Sequence, residues 1–358
     1  MDCDFLIIGG GIAGISAAAR LTALGSVIVL EGEDNLAYHA SGRSAAMYEP
    51  YYGLPAVVGL SMASGDFLRA IPGVLSTRGL LMLAKPDQMD QLHREVDEMN
   101  LTAILTDEAV AMVPILNPAM VAGAAYAGHG WDLDTDLLIQ NFLRIAKGNG
   151  AQVLTRARVG AIAKVPGGWQ VTSAAGTFTA TTLINAGGAW VDEVARMAGI
   201  RALGFQPNRR SMARIPAPGG HDTRTWPMMH GVGETWYAKP DAGALIVSPS
   251  EEHPMDPHDA FADDMVLAEG LARYEEMVTE PVTRLISNWA GLRTFAPDRV
   301  LVIGRDVREP SFVWLGGQGG YGFQSSPGAS QLLADLIAGR APDLAPDLVA
   351  SLSPARFG

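Results

Sequence analysis

The hydrophobic and polar positions at the start of the chain follow the order of a strand, a helix and a second strand. Residues 4–8 form a short apolar run, typical of a parallel strand that is covered on both faces. Residues 12–24 form an alanine-rich stretch that predicts a helix, and residues 26–30 form a second apolar run that ends on Glu31. This order predicts a βαβ unit in a parallel α/β sheet.

Later segments read mainly as strands joined by glycine turns. The predicted strands are residues 159–165, 169–173, 177–185, 236–238 and 244–247. The first three predict a meander that returns into the main sheet, and the last two predict a hairpin. We therefore expect a second domain that is rich in strands.

The last long helix carries its own start and stop signals. Ser326 suits an N-cap, Pro327 suits the first helical position, and Gly339 suits the position after the last turn. Residues 319–324 are therefore expected to lead into the N-terminus of this helix.

Two charge-free segments are not expected to be targeting or membrane segments. Residues 5–19 follow Asp2 and Asp4, where a signal peptide needs positive charge. Residues 109–131 contain Pro114 and Pro118, which would break a membrane-spanning helix. We expect a buried loop and strands at residues 109–131 and no stable membrane span.

Composition and charge narrow the class of protein. The chain has 358 residues, 48% of them hydrophobic, which suits about two globular domains. The formal net charge of −12 argues against nucleic acid or an anionic membrane surface as a partner. A single cysteine, Cys3, forbids an internal disulfide and fits a reducing compartment. A cytoplasmic location is expected.

The first glycine loop has the spacing of a dinucleotide site. Gly9, Gly11 and Gly14 give G-x-G-x-x-G between the first strand and the helix. They permit a tight turn, a close approach of a pyrophosphate and close packing of the helix on the strand. Glu31 follows where a carboxylate accepts hydrogen bonds from a ribose. A glycine-rich turn without a ligand is the alternative, and this unit does not distinguish FAD from a nicotinamide cofactor.

Three further segments resemble the D-amino acid oxidase/dehydrogenase family of flavoproteins. They are residues 41–46 (S-G-R-S-A-A), residues 183–190 (L-I-N-A-G-G-A-W) and residues 316–322 (G-G-Q-G-G-Y-G). The likeness extends over nearly the whole chain and is greatest to the bacterial D-arginine dehydrogenases. It implies an α/β fold with a glutathione-reductase-like FAD-binding Rossmann domain and a second, sheet-rich substrate domain.

The resemblance also implies domain limits and a flavin site. We expect an FAD-binding domain of residues 1–75, 131–200 and 304–358 and a substrate-binding domain of residues 76–130 and 201–303. Non-covalent FAD is expected, and no metal. The implied cofactor-binding residues are Gly9, Gly11, Ile12, Ala13, Gly14, Glu31, Gly32, Ser41, Gly42, Arg43, Ser44, Ala45, Ala46, Val159, Ala186, Gly187, Trp190, Gly319, Gly320, Tyr321, Gly322, Phe323 and Gln324.

Two arginines are candidates for holding a substrate carboxylate. Arg293 lies among apolar neighbours, where an unpaired guanidinium is costly and a bidentate carboxylate is a matching partner. The resemblance implies that Arg293 and Arg210 clamp the substrate near the flavin, and Gly320 belongs to the same site. A structural salt bridge is the alternative for both arginines. Arg209 is expected to be a surface or structural residue.

Two tyrosines and two apolar residues complete the expected substrate site. Tyr237 lies in the predicted hairpin, where the alternative is a packed sheet tyrosine. Tyr52 lies in a proline- and glycine-containing loop, with Tyr51 as the alternative. Relatives that take D-arginine carry a histidine at Met47 and a glutamate near Leu80. Their absence favours neutral or apolar substrates over D-arginine or D-lysine.

The resemblance implies FAD-dependent oxidative deamination of D-amino acids, with hydride transfer from Cα to flavin N5 and no side-chain base. The imino acid would hydrolyse to a 2-oxo acid and ammonia. Glycine, N-methyl amino acids or 2-hydroxy acids are alternative substrates. A flavin-binding subunit without catalysis and a nicotinamide dehydrogenase are alternative classes. The expected electron acceptor is a quinone or oxygen. With a quinone, the protein could associate peripherally with the membrane for electron transfer. The sequence leaves the oligomeric state open.

Overall fold

The structure is a computed structural model, and it describes residues 2–358. The strands are β1 (Cys3–Ile8), β2 (Val27–Leu30), β3 (Met47–Tyr48), β4 (Leu75–Thr77), β5 (Leu80–Ala84), β6 (Thr102–Ile104), β7 (Gly123–Ala127), β8 (Trp131–Leu133), β9 (Gln152–Leu154), β10 (Val159–Val165), β11 (Gly168–Ser173), β12 (Gly176–Asn185), β13 (Gln206–Pro216), β14 (Met228–Gly231), β15 (Tyr237–Asp241), β16 (Ala244–Ser248), β17 (His253–Pro254), β18 (Ser287–Phe295), β19 (Val302–Arg305) and β20 (Phe312–Gly316). The helices are α1 (Ile12–Leu21), α2 (Pro55–Ala70), α3 (Met89–Glu98), α4 (Thr106–Met112), α5 (Thr135–Gly148), α6 (Val191–Met197), α7 (Asp264–Glu276), α8 (Gly322–Ala338) and α9 (Pro346–Leu352).

The first large sheet is built around β1. Its order is β10-β11-β12-β1-β2-β9, with β20 paired to β12 and β19 paired to β20. β1 runs parallel to both β12 and β2. Leu6 and Ile7 of β1 are fully buried on opposite sides, each in a separate apolar cluster, and α1, α5 and α8 contribute to the cluster around Ile7. Burial on both faces explains the uninterrupted apolar runs of the sequence.

The second large sheet places two arginines on one face. Its order is β17-β13-β16-β15-β14-β5-β7-β6, with β18 paired antiparallel to β13. Asn208 lies opposite Arg293, and Arg210 lies opposite Gly291. Because side chains alternate along a strand and opposed residues share a face, Arg210 and Arg293 are diagonal neighbours on one face. Arg209 extends from the other face.

A third, smaller sheet of order β3-β8-β4 links the two large ones. Asp132 on β8 accepts a hydrogen bond of 2.8 Å from Arg78 Nε and lies 3.1 Å from Lys239 Nζ on β15. Lys239 Nζ also donates to the carbonyl oxygen of Ala46 at 2.9 Å. The segment that precedes β3 is thereby tied to the second large sheet.

Most predicted strands are confirmed. The meander corresponds to β10, β11 and β12, and the hairpin corresponds to β15 and β16. The α/β class with a second, sheet-rich part is confirmed as well. Helix α1 ends at Leu21, three residues before the expected limit, and Cys3 lies inside β1 instead of before it. The domain limits stay a prediction.

The predicted start of the last helix is wrong. Helix α8 begins at Gly322, so Ser326 and Pro327 lie inside it. Proline lacks the N–H that would bond to the carbonyl of Phe323, and the Ser326 hydroxyl donates to that carbonyl at 2.9 Å instead. The stop at Gly339 is confirmed, since it adopts a left-handed conformation with φ of 68°.

Residues 109–131 contain part of α4 and strand β7. Over residues 2–358, no helix is long and apolar enough to cross a membrane.

Candidate active site

The first glycine loop has backbone geometry that other residues would not tolerate. Gly9 has a φ of +108°, and a Cβ at this position would lie 2.3 Å from the carbonyl oxygen of Ala186. A Cβ at Gly14 would lie 1.9 Å from the carbonyl oxygen of Gly9. The loop therefore packs tightly on helix α1, whose N-terminus offers free N–H groups to a phosphate.

Glu31 is held in a fixed position at the end of β2. Its Oε2 accepts a hydrogen bond of 2.7 Å from the Gly10 N–H, and its Oε1 accepts one of 2.9 Å from the Glu33 N–H. The carboxylate borders a cavity of about 260 Å³, the first cavity. The predicted cofactor residues that line this cavity are Gly9, Gly11, Glu31, Gly32, Ser41, Arg43, Val159, Ala186, Gly187 and Trp190.

A second cavity, of about 130 Å³, continues from the first. The two share Gly11, Ser41, Arg43 and Ala186 among their lining residues. Other predicted cofactor residues line the second cavity: Ile12, Ala13, Ser44, Ala46, Gly319, Gly320, Gly322, Phe323 and Gln324. The N-terminus of α8 thus borders the second cavity, and its dipole favours negative charge there.

A third cavity, of about 70 Å³, opens from the second on the side of the second sheet. Met47, Arg210, Arg293 and Gly320 line both. The three cavities together form one elongated space that starts at Glu31 and ends beyond the arginine pair. A dinucleotide would be held by the residues that line the first two cavities, and the glycine loop at the N-terminus of α1 would bind its phosphates.

Arg43 is engaged with the protein itself. Its Nη1 donates to the carbonyl oxygens of Ala260 at 2.8 Å and Ala290 at 3.1 Å, and its Nη2 pairs with Asp259. Arg43 therefore ties the loop that borders the first two cavities to β18 and to the segment before α7.

The two arginines of the third cavity differ in their partners. Arg210 is 2% exposed and donates through Nε to the Glu251 carbonyl oxygen at 2.9 Å, and its Nη2 lies 3.3 Å from Glu252 Oε1. Burial and the positive charge of Arg293 lower the pKa of Arg210. The Arg293 side chain, in contrast, makes no hydrogen bond and no ion pair within residues 2–358. Burial acts to lower the pKa of Arg293, but the neighbouring Tyr237, Tyr52 and Glu234 raise it overall. An anionic ligand would satisfy the guanidinium.

Arg209 serves a structural purpose on the opposite face. It is buried, and its guanidinium lies 3.6 Å from Glu251 and 3.5 Å from Asp263. Of the two expectations for Arg209, a surface or a structural residue, its burial leaves the structural one.

The predicted tyrosines and apolar residues lie together in the third cavity, which is lined by Met47, Tyr52, Leu80 and Tyr237. Tyr237 is 3% exposed, and its hydroxyl has no partner within residues 2–358. Burial raises the pKa of Tyr52, whose ring packs 5.2 Å from that of Tyr321. Tyr51 instead packs against His129.

Some predicted residues lie behind the cavity walls. Gly14, Gly42 and Tyr321 do not line the three cavities. A Cβ at Gly42 would lie 2.2 Å from the Ala37 carbonyl oxygen, so this residue shapes the loop. Tyr321 supports Tyr52 through the ring contact.

Sequence reasoning missed three ionisable residues of the third cavity, Glu49, His230 and Glu234. Burial, followed by the charges of Arg210 and Arg293, lowers the pKa of His230 to about 3, so the ring is neutral near pH 7. Glu234 has a φ of +52°, which is uncommon for a residue with a side chain. Within residues 2–358, no group of three or more His, Cys, Asp and Glu side chains is placed to hold a metal ion.

Known proteins resemble this chain over nearly its whole length. The model of the family described as DAO, FAD dependent oxidoreductase, matches residues 4–336. The tRNA 5-methylaminomethyl-2-thiouridine biosynthesis bifunctional protein MnmC of Burkholderia multivorans is 25% identical to this chain over an alignment of 403 residues, gaps included. The alignment covers 98% of this chain. The chain spans 59% of the length of that relative.

Solved structures show the same fold. Glycine oxidase from Geobacillus kaustophilus superposes with a TM-score of 0.83 at 21% identity, covering 98% of both chains. L-proline dehydrogenase from P. horikoshii superposes with a TM-score of 0.85 at 21% identity, covering 99% of this chain and 97% of the other. The resemblance expected from the sequence is confirmed as far as the family, while the likeness to D-arginine dehydrogenases stays a prediction.

Proposed function

The chain belongs to the DAO family of FAD-dependent oxidoreductases, and from that premise we propose that it oxidises an amino acid whose carboxylate is held by Arg293 and Arg210. FAD occupies the first and second cavities in this proposal, and the substrate occupies the third. The observation that carries it is the Arg293 guanidinium, which borders the second and third cavities and has no partner within residues 2–358. Its planar fork matches a carboxylate in a bidentate pair.

The residues of the third cavity orient the substrate. The arginine pair binds the carboxylate, and the unpartnered Tyr237 hydroxyl is available to donate to one of its oxygens. FAD bound in the first two cavities supplies the acceptor for the hydride that leaves Cα. Fixing Cα on one side lowers the barrier through orientation, without a side-chain base. The amine is neutral when it reacts, and the imino acid product is hydrolysed by water to a 2-oxo acid and ammonia.

The walls of the third cavity suit a small substrate of the D-amino acid class without a charged side chain. Met47 and Leu80 stand where a histidine and a glutamate are expected in relatives that take D-arginine. Met99 and Met228 add further apolar surface. Leu80 cannot pair with a cationic side chain as a glutamate at that position would, which disfavours D-arginine and D-lysine.

Glycine and N-methyl amino acids form a second candidate class. The third cavity holds about 70 Å³, which suits a substrate with little or no side chain. One structural relative is a glycine oxidase, and another is an iminodiacetate oxidase from Chelativorans sp. BNC1.

Anaerobic reduction of the flavin tests the proposal. The purified holoprotein is mixed with D- and L-amino acids, glycine, N-methylglycine and lactate, and bleaching of the visible flavin bands is followed. Bleaching by D-amino acids with neutral side chains is expected. Bleaching by lactate but by no amine would contradict the proposal.

A pair of matched variants tests the carboxylate clamp. Arg293→Lys retains the charge but loses the fork, so the apparent substrate affinity in flavin reduction should fall by about 10-fold or more. Arg209→Lys is the control. Arg209 precedes Arg210 in β13 and its side chain extends from the opposite face of the sheet, so this variant should leave the affinity unchanged. Equal effects of the two variants would show that Arg293 does not bind the carboxylate.

A further inference from the structure

His230 places a polar ring on the sheet face that borders the third cavity. It lies in β14, where Met228 precedes it by two positions and therefore points to the same face. Tyr237 of β15 lies opposite His230, and Leu80 of β5 pairs with Met228, so these side chains share that face as well. All four residues line the third cavity. The strand register thus directs the imidazole towards this cavity.

The ring of His230 has unused hydrogen-bonding capacity. Neither nitrogen makes a hydrogen bond or an ion pair within residues 2–358, and neither belongs to the fully buried atoms that lack a partner. Both nitrogens therefore retain accessible surface. The residue is half-buried, yet burial is the largest cause of its low pKa, so this surface faces an enclosed space and not the bulk solvent. The enclosed space that His230 lines is the third cavity.

The surroundings of His230 keep its ring uncharged. Burial, followed by the positive charges of Arg210 and Arg293, lowers the pKa of His230 to about 3. Near pH 7 the ring therefore has one N–H donor and one acceptor nitrogen. The Tyr237 ring stacks on a face of the imidazole, with 5.6 Å between centroids, and so leaves the edge that carries the nitrogens open.

His230 lies on the side of the third cavity that a substrate side chain is expected to reach. Arg210 and Arg293 line both the second and the third cavity, whereas His230 borders the third and not the second. A carboxylate at the arginines, next to FAD, leaves the space beside His230 for the side chain. An apolar side chain there would displace water from the ring nitrogens without replacing its hydrogen bonds, which costs free energy. A charged side chain would gain no opposite charge from a neutral ring.

We propose that His230 determines side-chain specificity by hydrogen bonding to an uncharged polar group of the substrate, for which a carboxamide is the best match. Whichever nitrogen faces the substrate, a carboxamide can pair with it, through its NH₂ group or its carbonyl oxygen. The proposal rests on the proposed function, since it assumes that the substrate carboxylate lies at Arg293. It narrows the neutral substrates to those with a polar side chain.

Three D-amino acids of nearly the same shape separate the possibilities. D-asparagine, D-leucine and D-aspartate differ at the end of the side chain, which is a carboxamide, an isopropyl group and a carboxylate. For the holoprotein, the second-order rate constant of anaerobic flavin reduction should be highest for D-asparagine. D-aspartate or D-leucine as the best substrate of the three would overturn the proposal.

Substitution of His230 tests its part in this preference. His230→Leu removes both nitrogens at similar volume, so the ratio of the rate constants for D-asparagine and D-leucine should fall by about 10-fold or more. His230→Gln keeps a donor and an acceptor, and its ratio should stay above that of His230→Leu. Because the intrinsic reactivities of the two substrates are the same in every variant, a change in the ratio reports the contact.

His93→Leu is the matched control, since His93 is an exposed residue of α3. It should keep the wild-type ratio within about 2-fold. A ratio that is unchanged in His230→Leu, or that falls equally in His93→Leu, would overturn the proposal.

Binding without turnover separates this proposal from the function on which it rests. The deaminated analogues 3-carbamoylpropanoate and 4-methylpentanoate are titrated into the holoprotein, and their binding is read from the flavin spectrum and from the melting temperature. The preference for the amide over the alkyl analogue should fall by about 10-fold in His230→Leu. If no amino acid reduces the flavin but this result holds, the proposed function fails and His230 keeps its role. If amino acids reduce the flavin and the preference does not depend on His230, the role of His230 fails. Absence of both the reduction and the preference would refute both.

His230→Phe provides the second variant if His230→Leu does not retain FAD. It keeps a ring beside Tyr237 and lacks both nitrogens, so the ratio of D-asparagine to D-leucine should fall in the same way. A residue that merely supports the fold would change the rate constants of both substrates equally, and that result would contradict the proposal.

Discussion

Several polar side chains of the third cavity have no hydrogen-bond partner within residues 2–358. They are the Arg293 guanidinium, the His230 ring and the Tyr237 hydroxyl, and the hydroxyl is buried. Leaving such groups unsatisfied costs free energy, so their concentration in one small space indicates a polar ligand. Arg293 was identifiable from its apolar neighbours in the sequence. Glu49 and His230 were not, because only the folded sheets bring them to the cavity.

Arg210 is harder to identify from the sequence than Arg293, because only the strand register distinguishes it from Arg209. Arg209 and Arg210 are adjacent in the chain, and nothing in their neighbours distinguishes them. The pairing of β13 with β18 makes Arg210 the residue that shares a face with Arg293. A shift of one residue would exchange the two.

His230 should make the holoprotein less stable in acid. Its pKa is lowered to about 3, whereas a histidine in the unfolded chain titrates near about 6.5. Between these values the unfolded chain binds a proton that the folded chain does not. The free energy of unfolding should therefore fall as the pH drops below about 6.5, with a contribution of up to about 1.4 kcal/mol per pH unit from this residue.

Urea unfolding between pH 4 and pH 7 (a range of about 3 units) measures this slope. His230→Gln should have a shallower slope than the wild type. His93→Gln, on an exposed position of α3, is the control for loss of a histidine. Identical slopes for His230→Gln and the wild type would contradict the expectation.

Among the secondary structure elements, α8 departs most from what the sequence indicates. Ser326, Pro327 and Gly339 are ordinary start and stop signals, and the stop is used as expected. The start signals are not used, because the helix already begins at Gly322 and its first turns are buried. The Ser326 hydroxyl donates to the Phe323 carbonyl in place of the N–H that Pro327 lacks. Local signals predicted β10, β11 and β12 well, because their turns are set by glycines.

A double-mutant cycle measures the compensation inside α8. Ser326→Ala should lower the free energy of unfolding by about 1–3 kcal/mol, because the buried Phe323 carbonyl loses its donor. In a Pro327→Ala background the new N–H can bond to that carbonyl, so the same substitution should cost less than about 1 kcal/mol. Equal costs in both backgrounds, determined by denaturant unfolding, would show that the hydroxyl does not replace the N–H.

In the molecule as a whole, the three cavities lie where the two large sheets meet. The glycine loop and α8 come from the first sheet and its helices, whereas the arginines and Tyr237 come from the second. The family resemblance located both sides from separate motifs. It did not indicate how they are joined, because the contacts of Arg43 and Lys239 link residues that are far apart in the sequence and follow no periodic pattern.

Loss of the Arg43 fork should weaken FAD binding. Arg43→Lys cannot contact the Ala260 carbonyl, the Ala290 carbonyl and Asp259 at once, so the loop beside the first two cavities becomes less ordered. The dissociation constant for FAD, measured by quenching of flavin fluorescence, should rise by about 10-fold. Arg156→Lys changes an exposed ion pair with Asp34 and should bind FAD as the wild type does. An unchanged affinity in Arg43→Lys would contradict this account.

The nearness of Arg210 and Arg293 has a practical consequence. Two like charges in a small enclosed space repel each other, and any acid of the right shape relieves that repulsion by binding to the folded protein. Simple carboxylic acids should therefore raise the melting temperature in proportion to how well they fit. A thermal-shift screen of such acids would outline the shape of the natural substrate before a single turnover had been observed.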